Sequence, residues 1–159
     1  MSRRVLVAGV GNVFRGDDGF GSEVVRRLAR RDLPAGVRVI DFGTRGHDLA
    51  YAVLDGYDAV ILVDATRRDG LPGTLYVLEP TPDDFPAGPV ETHGVDLPAV
   101  FRLVRAMGGS LPALRLVGCE PADLGADDEG AFGLSRPVAT AVDRAVELVE
   151  ATVADVCRA

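Results

Sequence analysis

Residues 5–21, VLVAGVGNVFRGDDGFG, decide the fold of this chain. The apolar run 5–8 predicts a buried strand, and the glycines that follow it permit a sharp turn. Two adjacent carboxylates, Asp17 and Asp18, come next, and Gly21 opens a stretch that predicts a helix. Because open α/β sheets carry their chemistry at the carboxyl ends of strands, this loop is a candidate site.

The same glycines raise the alternative of a Rossmann-like nucleotide-binding protein. Gly9-x-Gly11 after a strand resembles part of the dinucleotide fingerprint, and Asp41 ends the predicted second strand. The third glycine of that fingerprint would fall on Phe14, whose side chain would obstruct close packing of helix on strand. Two aspartates in the loop would also repel a pyrophosphate unless a cation intervened. The loop therefore favours a function other than nucleotide binding.

Length and composition predict a single domain over residues 1–159, long enough for a substantial core. No apolar run approaches the roughly 18 residues that would span a bilayer, so no membrane segment is expected. The first residues lead directly into the first strand without a signal-peptide layout. We therefore expect a cytoplasmic protein.

Charge and residue types exclude further classes. The net charge of −7 argues against a nucleic-acid partner and an anionic membrane surface, and favours a monomer. Every basic residue is arginine, so Schiff-base chemistry, a Walker-type lysine and a Ser–Lys pair are excluded.

The remaining chain alternates between strand and helix patterns. Further strands are predicted at 37–42, 59–63, 74–78 and 114–118, and helices at 47–54, 96–107 and from Leu134, with Ser135 as N-cap and Pro137 in the first turn. No crossover helix fits before 74–78, so that strand should run antiparallel to its predecessor, and 79–94 should form a long surface loop. The pattern predicts a three-layer α/β/α sandwich around a mostly parallel, five-stranded twisted sheet with one antiparallel strand.

Three polar side chains lie at comparable places in this predicted sheet. Asp18 follows the first strand, Asp64 ends the third, and His93 precedes the helix 96–107. First and third strands are often neighbours in doubly wound sheets, so their loops can meet. Two carboxylates and an imidazole suit a divalent metal with open positions, or a general base oriented by a carboxylate.

Each candidate also has a structural interpretation. Asp17 or Asp18 could cap the following helix, and Asp64 could accept backbone N–H groups in its turn. A lone loop histidine such as His93 is commonly a surface residue, and we expect His47 to begin a helix without a catalytic role. Only joint placement would favour a site.

The two cysteines, Cys119 and Cys157, are far apart and form no metal-spacing motif. A nucleophilic Cys119 activated by His93 defines a further alternative, a cysteine hydrolase.

Six segments together carry a resemblance that covers almost the whole chain. They are VLVAGVGN at 5–12, RGDDGFG at 15–21, DFGT at 41–44, ILVDA at 61–65, Thr92-His93 before Leu97-Pro98, and VGCEP at 117–121. In their order and spacing the sequence resembles the hydrogenase maturation proteases, nickel-dependent endopeptidases of the HybD/HycI type.

The resemblance implies that the chain removes a short carboxy-terminal extension from a [NiFe]-hydrogenase large-subunit precursor after nickel insertion. The family's metal-contacting residues map onto Asp18, Asp64 and His93, which we take as both the catalytic and the metal-contacting residues, with the nickel supplied by the precursor. Relatives carry aspartate or glutamate at the position of Asp18. An aliphatic residue often stands at the position of Cys119, so we interpret this thiol as a small apolar filler.

These residue types allow several mechanisms. The metal could polarise the scissile carbonyl or lower the pKa of a water molecule, or Asp18 or Asp64 could act as base. The loop 79–94 and the turn Gly43–Thr44 are candidate walls of a groove for the extended tail. A non-catalytic binding protein of the same fold is the remaining alternative.

Overall fold

The computed structural model describes residues 3–81, 95–125 and 132–159. Within these ranges a five-stranded sheet carries two helices on each face. The strands are β1 (Val5–Val10), β2 (Val37–Gly43), β3 (Ala59–Ala65), β4 (Leu75–Leu78) and β5 (Ala113–Cys119), and the helices are α1 (Phe20–Leu28), α2 (Gly46–Leu54), α3 (Leu97–Ala106) and α4 (Arg136–Arg158).

The sheet has the strand order β2-β1-β3-β5-β4. β1 pairs in parallel with both β2 and β3, and β3 pairs in parallel with β5. β4 is the one antiparallel strand among the described residues, and it pairs with β5. The predicted three-layer, mostly parallel fold is confirmed. The prediction for 74–78 was right about direction, but β4 lies beside β5 and not beside β3, because β5 occupies the position next to β3.

The helices cover the sheet in two pairs. α1 and α4 pack on one face and α2 and α3 on the other, each around its own cluster of buried side chains. Every residue of β1 and the first five residues of β3 are buried. Strands covered on both faces read as continuous apolar runs, which explains why these two were the most evident in the sequence.

Helix starts differ from the predictions in informative ways. A 3-10 turn, Gly16–Gly19, precedes α1, which therefore begins at Phe20 and not at Gly21. α3 begins after Asp96, whose side chain accepts a hydrogen bond from the backbone N–H of Ala99 at 3.1 Å. α4 begins after Ser135 as predicted, with proline in its first turn.

Over the described ranges, no helix combines the length and the apolar character needed to cross a membrane.

Candidate active site

The loop after β1 brings Asp18 back to the edge of the sheet. Gly11 has a φ of +130°, and a Cβ at this position would overlap the carbonyl oxygen of Asp18, so only glycine permits the close approach. The backbone N–H of Asn12 donates to Oδ2 of Asp18 at 2.8 Å. The carboxylate of Asp18 is thereby held beside the carboxyl end of β1.

Asp64 is the second-to-last residue of β3, the strand that pairs with β1. Burial raises its pKa well above the ordinary value of 3.8, and the nearby charge of Asp18 raises it further, against a hydrogen bond from the backbone of Ala65. Burial also raises the pKa of Asp18, opposed by the N–H of Asn12 and the charge of Arg15. An acid from the turn after β1 and an acid from the end of β3 therefore lie close enough to interact, both largely removed from solvent.

This pair has the chemistry of an incomplete cation site. Each carboxylate loses solvation and repels the other, so a cation between them would favour the ionised form of both. Asp18 and Asp64 thus meet as the strand order predicted, and oxygen ligands of this kind fit a divalent metal with further donors. Within residues 3–81, 95–125 and 132–159, no group of three histidine, cysteine or acidic side chains could hold a metal.

The third predicted ligand, His93, lies outside the described residues, as does nearly all of the predicted loop 79–94. Its assignment therefore stays a prediction. The other histidine, His47, is exposed in the first turn of α2, as expected, and lines a small cavity of about 200 Å³ together with Val95 and Asp96.

Asp17 does not cap the following helix, and this interpretation was wrong. The N-cap of α1 is Gly19, which has no side chain to supply a hydrogen bond. Asp17 is instead wholly buried and accepts hydrogen bonds from Ala122, Asp123 and Ser135. The hydroxyl of Ser135 donates to Asp17 and accepts no hydrogen bond from the first turn of α4, so Ser135 is an N-cap by position only.

Glu120 is a buried acid that the sequence interpretation missed. Its Oε1 accepts hydrogen bonds from the hydroxyl of Tyr76 at 2.7 Å and from the backbone N–H groups of Arg68 at 2.8 Å and Gly70 at 3.0 Å. These bonds, led by that of Tyr76, lower the pKa of Glu120. Glu120 therefore secures the loop that follows Asp64. The available signal was a charged residue shortly after the predicted strand 114–118 and directly before a proline.

Cys119 is fully buried in the core beneath α4. Burial raises the pKa of its thiol to about 12, with further contributions from the charges of Asp17 and Glu120. A nucleophilic cysteine needs a lowered pKa and access to substrate, so these properties oppose a cysteine hydrolase. They agree with an apolar filler.

A cleft of about 480 Å³ lies beside the Asp18 loop, between the ends of β1 and β2. Its lining includes Asn12, Phe14 and the turn Gly43–Thr44, one of the predicted groove walls. Asp41 also lines this cleft, and its Oδ1 accepts from the hydroxyl of Ser22 at 2.8 Å and from the N–H of Gly43 at 3.1 Å. Hydrogen bonds of Asp41 therefore fix the end of β2 as one wall of this open cleft.

The geometry of the same loop disfavours a nucleotide. The N–H of Asn12, which a phosphate would need, is bonded to the carboxylate of Asp18. Phe14 stands where the third glycine would be, half exposed and in edge contact with the ring of Phe132 at 4.9 Å between centroids.

Comparisons with known proteins agree with this arrangement. The family model described as hydrogenase maturation protease matches residues 22–152. The hydrogenase expression/formation protein HupD of Rhodobacter capsulatus is 38% identical over 149 residues, which cover 90% of this chain and 68% of that protein.

Solved structures show the same similarity. The hydrogenase maturating endopeptidase HybD from Escherichia coli superimposes with a TM-score of 0.80 at 31% identity, covering 96% of this chain and 93% of that one. A [NiFe] hydrogenase maturation protease HycI from Thermococcus kodakarensis gives a TM-score of 0.67 at 25% identity, covering 99% and 94%.

An α/β endopeptidase with paired acids at the carboxyl edge of its sheet is the class that fold and comparisons define. The chain belongs to the hydrogenase maturation protease family. The resemblance inferred from the six sequence segments is therefore confirmed, as is the prediction that the protein is a peptidase.

Proposed function

We propose that this protein removes the carboxy-terminal extension of a [NiFe]-hydrogenase large-subunit precursor once nickel has been inserted. The observation that carries the proposal is the match to the hydrogenase maturation protease family over residues 22–152, and the placement of Asp18 and Asp64 beside the carboxyl ends of adjacent strands supplies the candidate site. The family match and the [NiFe] hydrogenase maturation protease among the similar structures support the substrate class.

Nickel enters this proposal as part of the substrate. Asp18, Asp64 and His93 offer two carboxylates and an imidazole, which are ligand types that nickel accepts. A nickel ion with free positions would be favoured by the paired acids because it offsets their mutual repulsion. A precursor without nickel offers no such gain, so docking distinguishes the mature metal centre from the empty one.

The cleft lined by Asn12, whose N–H holds Asp18, offers the tail a path toward the two acids. An extended segment can lie against Gly43 and Thr44 and reach the carboxyl edge of β1, where Asp18 is held by Asn12. The cleft is open and polar residues line much of it, which suits a peptide backbone that must enter and leave. The scissile bond would then lie within reach of the nickel and the two acids.

Two routes to hydrolysis fit these residues. The substrate's nickel can polarise the scissile carbonyl or activate a water, or one of the acids can take a proton from the attacking water. Because both acids have raised pKa values, either is suited to hold a proton for part of the reaction.

The proposal is tested with purified nickel-loaded precursor, by following the loss of the extension with intact-protein mass spectrometry. We expect wild-type protein to release the tail and Asp64→Asn to release none. The matched control is Asp58→Asn at the other end of β3, where the carboxylate accepts a bond from the N–H of Arg4. Binding of the precursor without cleavage by the wild type would instead support the non-catalytic alternative.

A cytoplasmic location and a monomeric state belong to the same proposal. The acidic surface supports a monomer, and light scattering during size-exclusion chromatography tests it against a dimer.

A further inference from the structure

Beside Asp18 lies a second carboxylate that the proposed reaction does not use. Asp17 is wholly buried, and its oxygens accept four hydrogen bonds from residues in the described ranges. Oδ2 accepts from the backbone N–H groups of Ala122 at 2.8 Å and Asp123 at 2.9 Å, and from the hydroxyl of Ser135 at 2.8 Å. Oδ1 accepts from the backbone N–H of Ser135 at 2.7 Å. A buried anion is thus satisfied by two distant segments.

The backbone around Asp17 is fixed to the same segment after β5. The N–H of Asp17 donates to the carbonyl of Asp123 at 2.8 Å. Gly16 has a φ of +58°, and a Cβ there would lie 2.7 Å from that carbonyl oxygen. The two backbones therefore approach more closely than a larger residue at position 16 would permit.

These contacts act on the short turn that carries Asp18. Asp17 and Asp18 share the 3-10 turn Gly16–Gly19. Within it, the backbone N–H of Asp18 donates to the carbonyl of Arg15 at 3.2 Å. A turn of four residues has little hydrogen bonding of its own to fix its direction. The side chain of Asp17 ties the turn to the segment after β5 and to the start of α4, while Asp18 accepts from the N–H of Asn12.

We propose that Asp17 is a positioning residue: by binding the segment 122–123 and the start of α4, it orients the turn that presents Asp18 to the substrate's metal. This inference rests on the proposed function for its catalytic consequence. Its structural content, that Asp17 sets the position of the Asp18 carboxylate, is independent of the substrate.

The first test measures the position of Asp18 without any substrate. The backbone N–H of Asn12 reports it directly, since its acceptor is Oδ2 of Asp18. We expect Asp17→Ala to change the amide chemical shift of Asn12 in the ¹H–¹⁵N spectrum and to speed its hydrogen exchange at least tenfold. The control is Val149→Ala, a buried position on α4 about 20 Å along the helix from Ser135 that lowers stability by loss of packing. It should leave the chemical shift of the Asn12 amide unchanged and should speed its exchange by no more than the loss of global stability requires.

The second test separates positioning from general destabilisation by kinetics. At a temperature where both variants remain folded by circular dichroism, Asp17→Ala should lower kcat for tail removal at least tenfold with KM within threefold. Val149→Ala should keep both within twofold. Should Asp17→Ala not fold, Ser135→Ala decides, because it removes one of the four bonds and leaves the carboxylate in place. It should give a smaller loss of kcat, about two- to fivefold, and a smaller change at Asn12.

Each outcome bears on the proposal. An Asn12 amide that is unchanged in folded Asp17→Ala, or in Ser135→Ala if the former does not fold, would overturn it, and so would a kcat lowered no more than in Val149→Ala. If the wild type cleaves no precursor, the proposed function fails, while the Asn12 amide still decides whether Asp17 positions Asp18.

Discussion

The charge of Asp18 raises the pKa of Asp64 across the carboxyl ends of two adjacent parallel strands. Both carboxyl groups also lose solvation, and that loss is the larger cause of each raised pKa. Keeping two such groups together opposes folding when they are ionised, so the arrangement is explained by what it binds. Stability and function therefore place opposite demands on these residues.

Replacing Asp64 with asparagine should stabilise the protein while it abolishes tail removal. A carboxyl whose folded pKa is raised stabilises the fold at low pH, and this contribution is lost as the pH rises from its ordinary value of 3.8 through the folded pKa. At pH 7 we expect Asp64→Asn to raise Tm by about 2–4 °C, the shift for roughly 1 kcal/mol in a chain of this length. The gain should disappear near pH 4.

Calorimetry of the two proteins between pH 4 and pH 8 measures this. Asp58→Asn is the control. The carboxylate of Asp58 accepts a hydrogen bond from the backbone N–H of Arg4, so removing its charge should not raise Tm. A lower Tm for Asp64→Asn at pH 7 would show that Asp64 is not held under repulsion.

Replacing Glu120 with glutamine should have the opposite pH dependence. The bonds from Tyr76, Gly70 and Arg68 lower the pKa of Glu120, so its contribution is present above the ordinary value of 4.5 and is lost as the pH falls through the folded pKa. Glu120→Gln should therefore lower Tm by several degrees at pH 7, with a difference that shrinks below about pH 4.5. Glu147→Gln, at an exposed position on α4, should change Tm little at either pH. A pH-independent loss in Glu120→Gln would contradict this account.

Removing the thiol of Cys119 should leave activity intact. Because the thiol is buried and its pKa is raised to about 12, it holds almost no thiolate at neutral pH. Cys119→Ala should process precursor within twofold of the wild type, and iodoacetamide should alkylate the native protein at Cys119 only on unfolding. A large loss of activity in Cys119→Ala protein that remains folded would support a cysteine hydrolase.

The two histidines of the chain should differ sharply. His93→Ala should abolish tail removal, because it deletes the predicted third ligand for the substrate's nickel. His47→Ala should stay within twofold of the wild type, since His47 is exposed in the first turn of α2. Equal processing by both variants would remove His93 from the site.

Much of the fold could be predicted from the sequence because a buried strand leaves a continuous run of apolar residues. The continuous apolar runs of β1 and β3 predicted central parallel strands, and their adjacency brought Asp18 and Asp64 together. The strand with which β4 pairs could not be predicted, because the choice between β3 and β5 depends on the order of strands in the sheet.

The roles of Asp17 and Glu120 could not be predicted, for a similar reason. Asp17 reads locally as a helix cap, yet its donors lie more than a hundred positions away at Ala122, Asp123 and Ser135. Glu120 likewise accepts from residues about fifty positions earlier. Such long-range hydrogen bonds leave no periodic signal in a single sequence.

The most direct test compares the same precursor with and without nickel. Wild-type protein is mixed with each form, and the mass of the large subunit is followed by intact-protein mass spectrometry, with Asp64→Asn run in parallel. The account predicts that the precursor loses its carboxy-terminal extension only when it is nickel-loaded and only when it is mixed with the wild-type protein. Equal cleavage of the nickel-free precursor, or cleavage by Asp64→Asn at the wild-type rate, would contradict it.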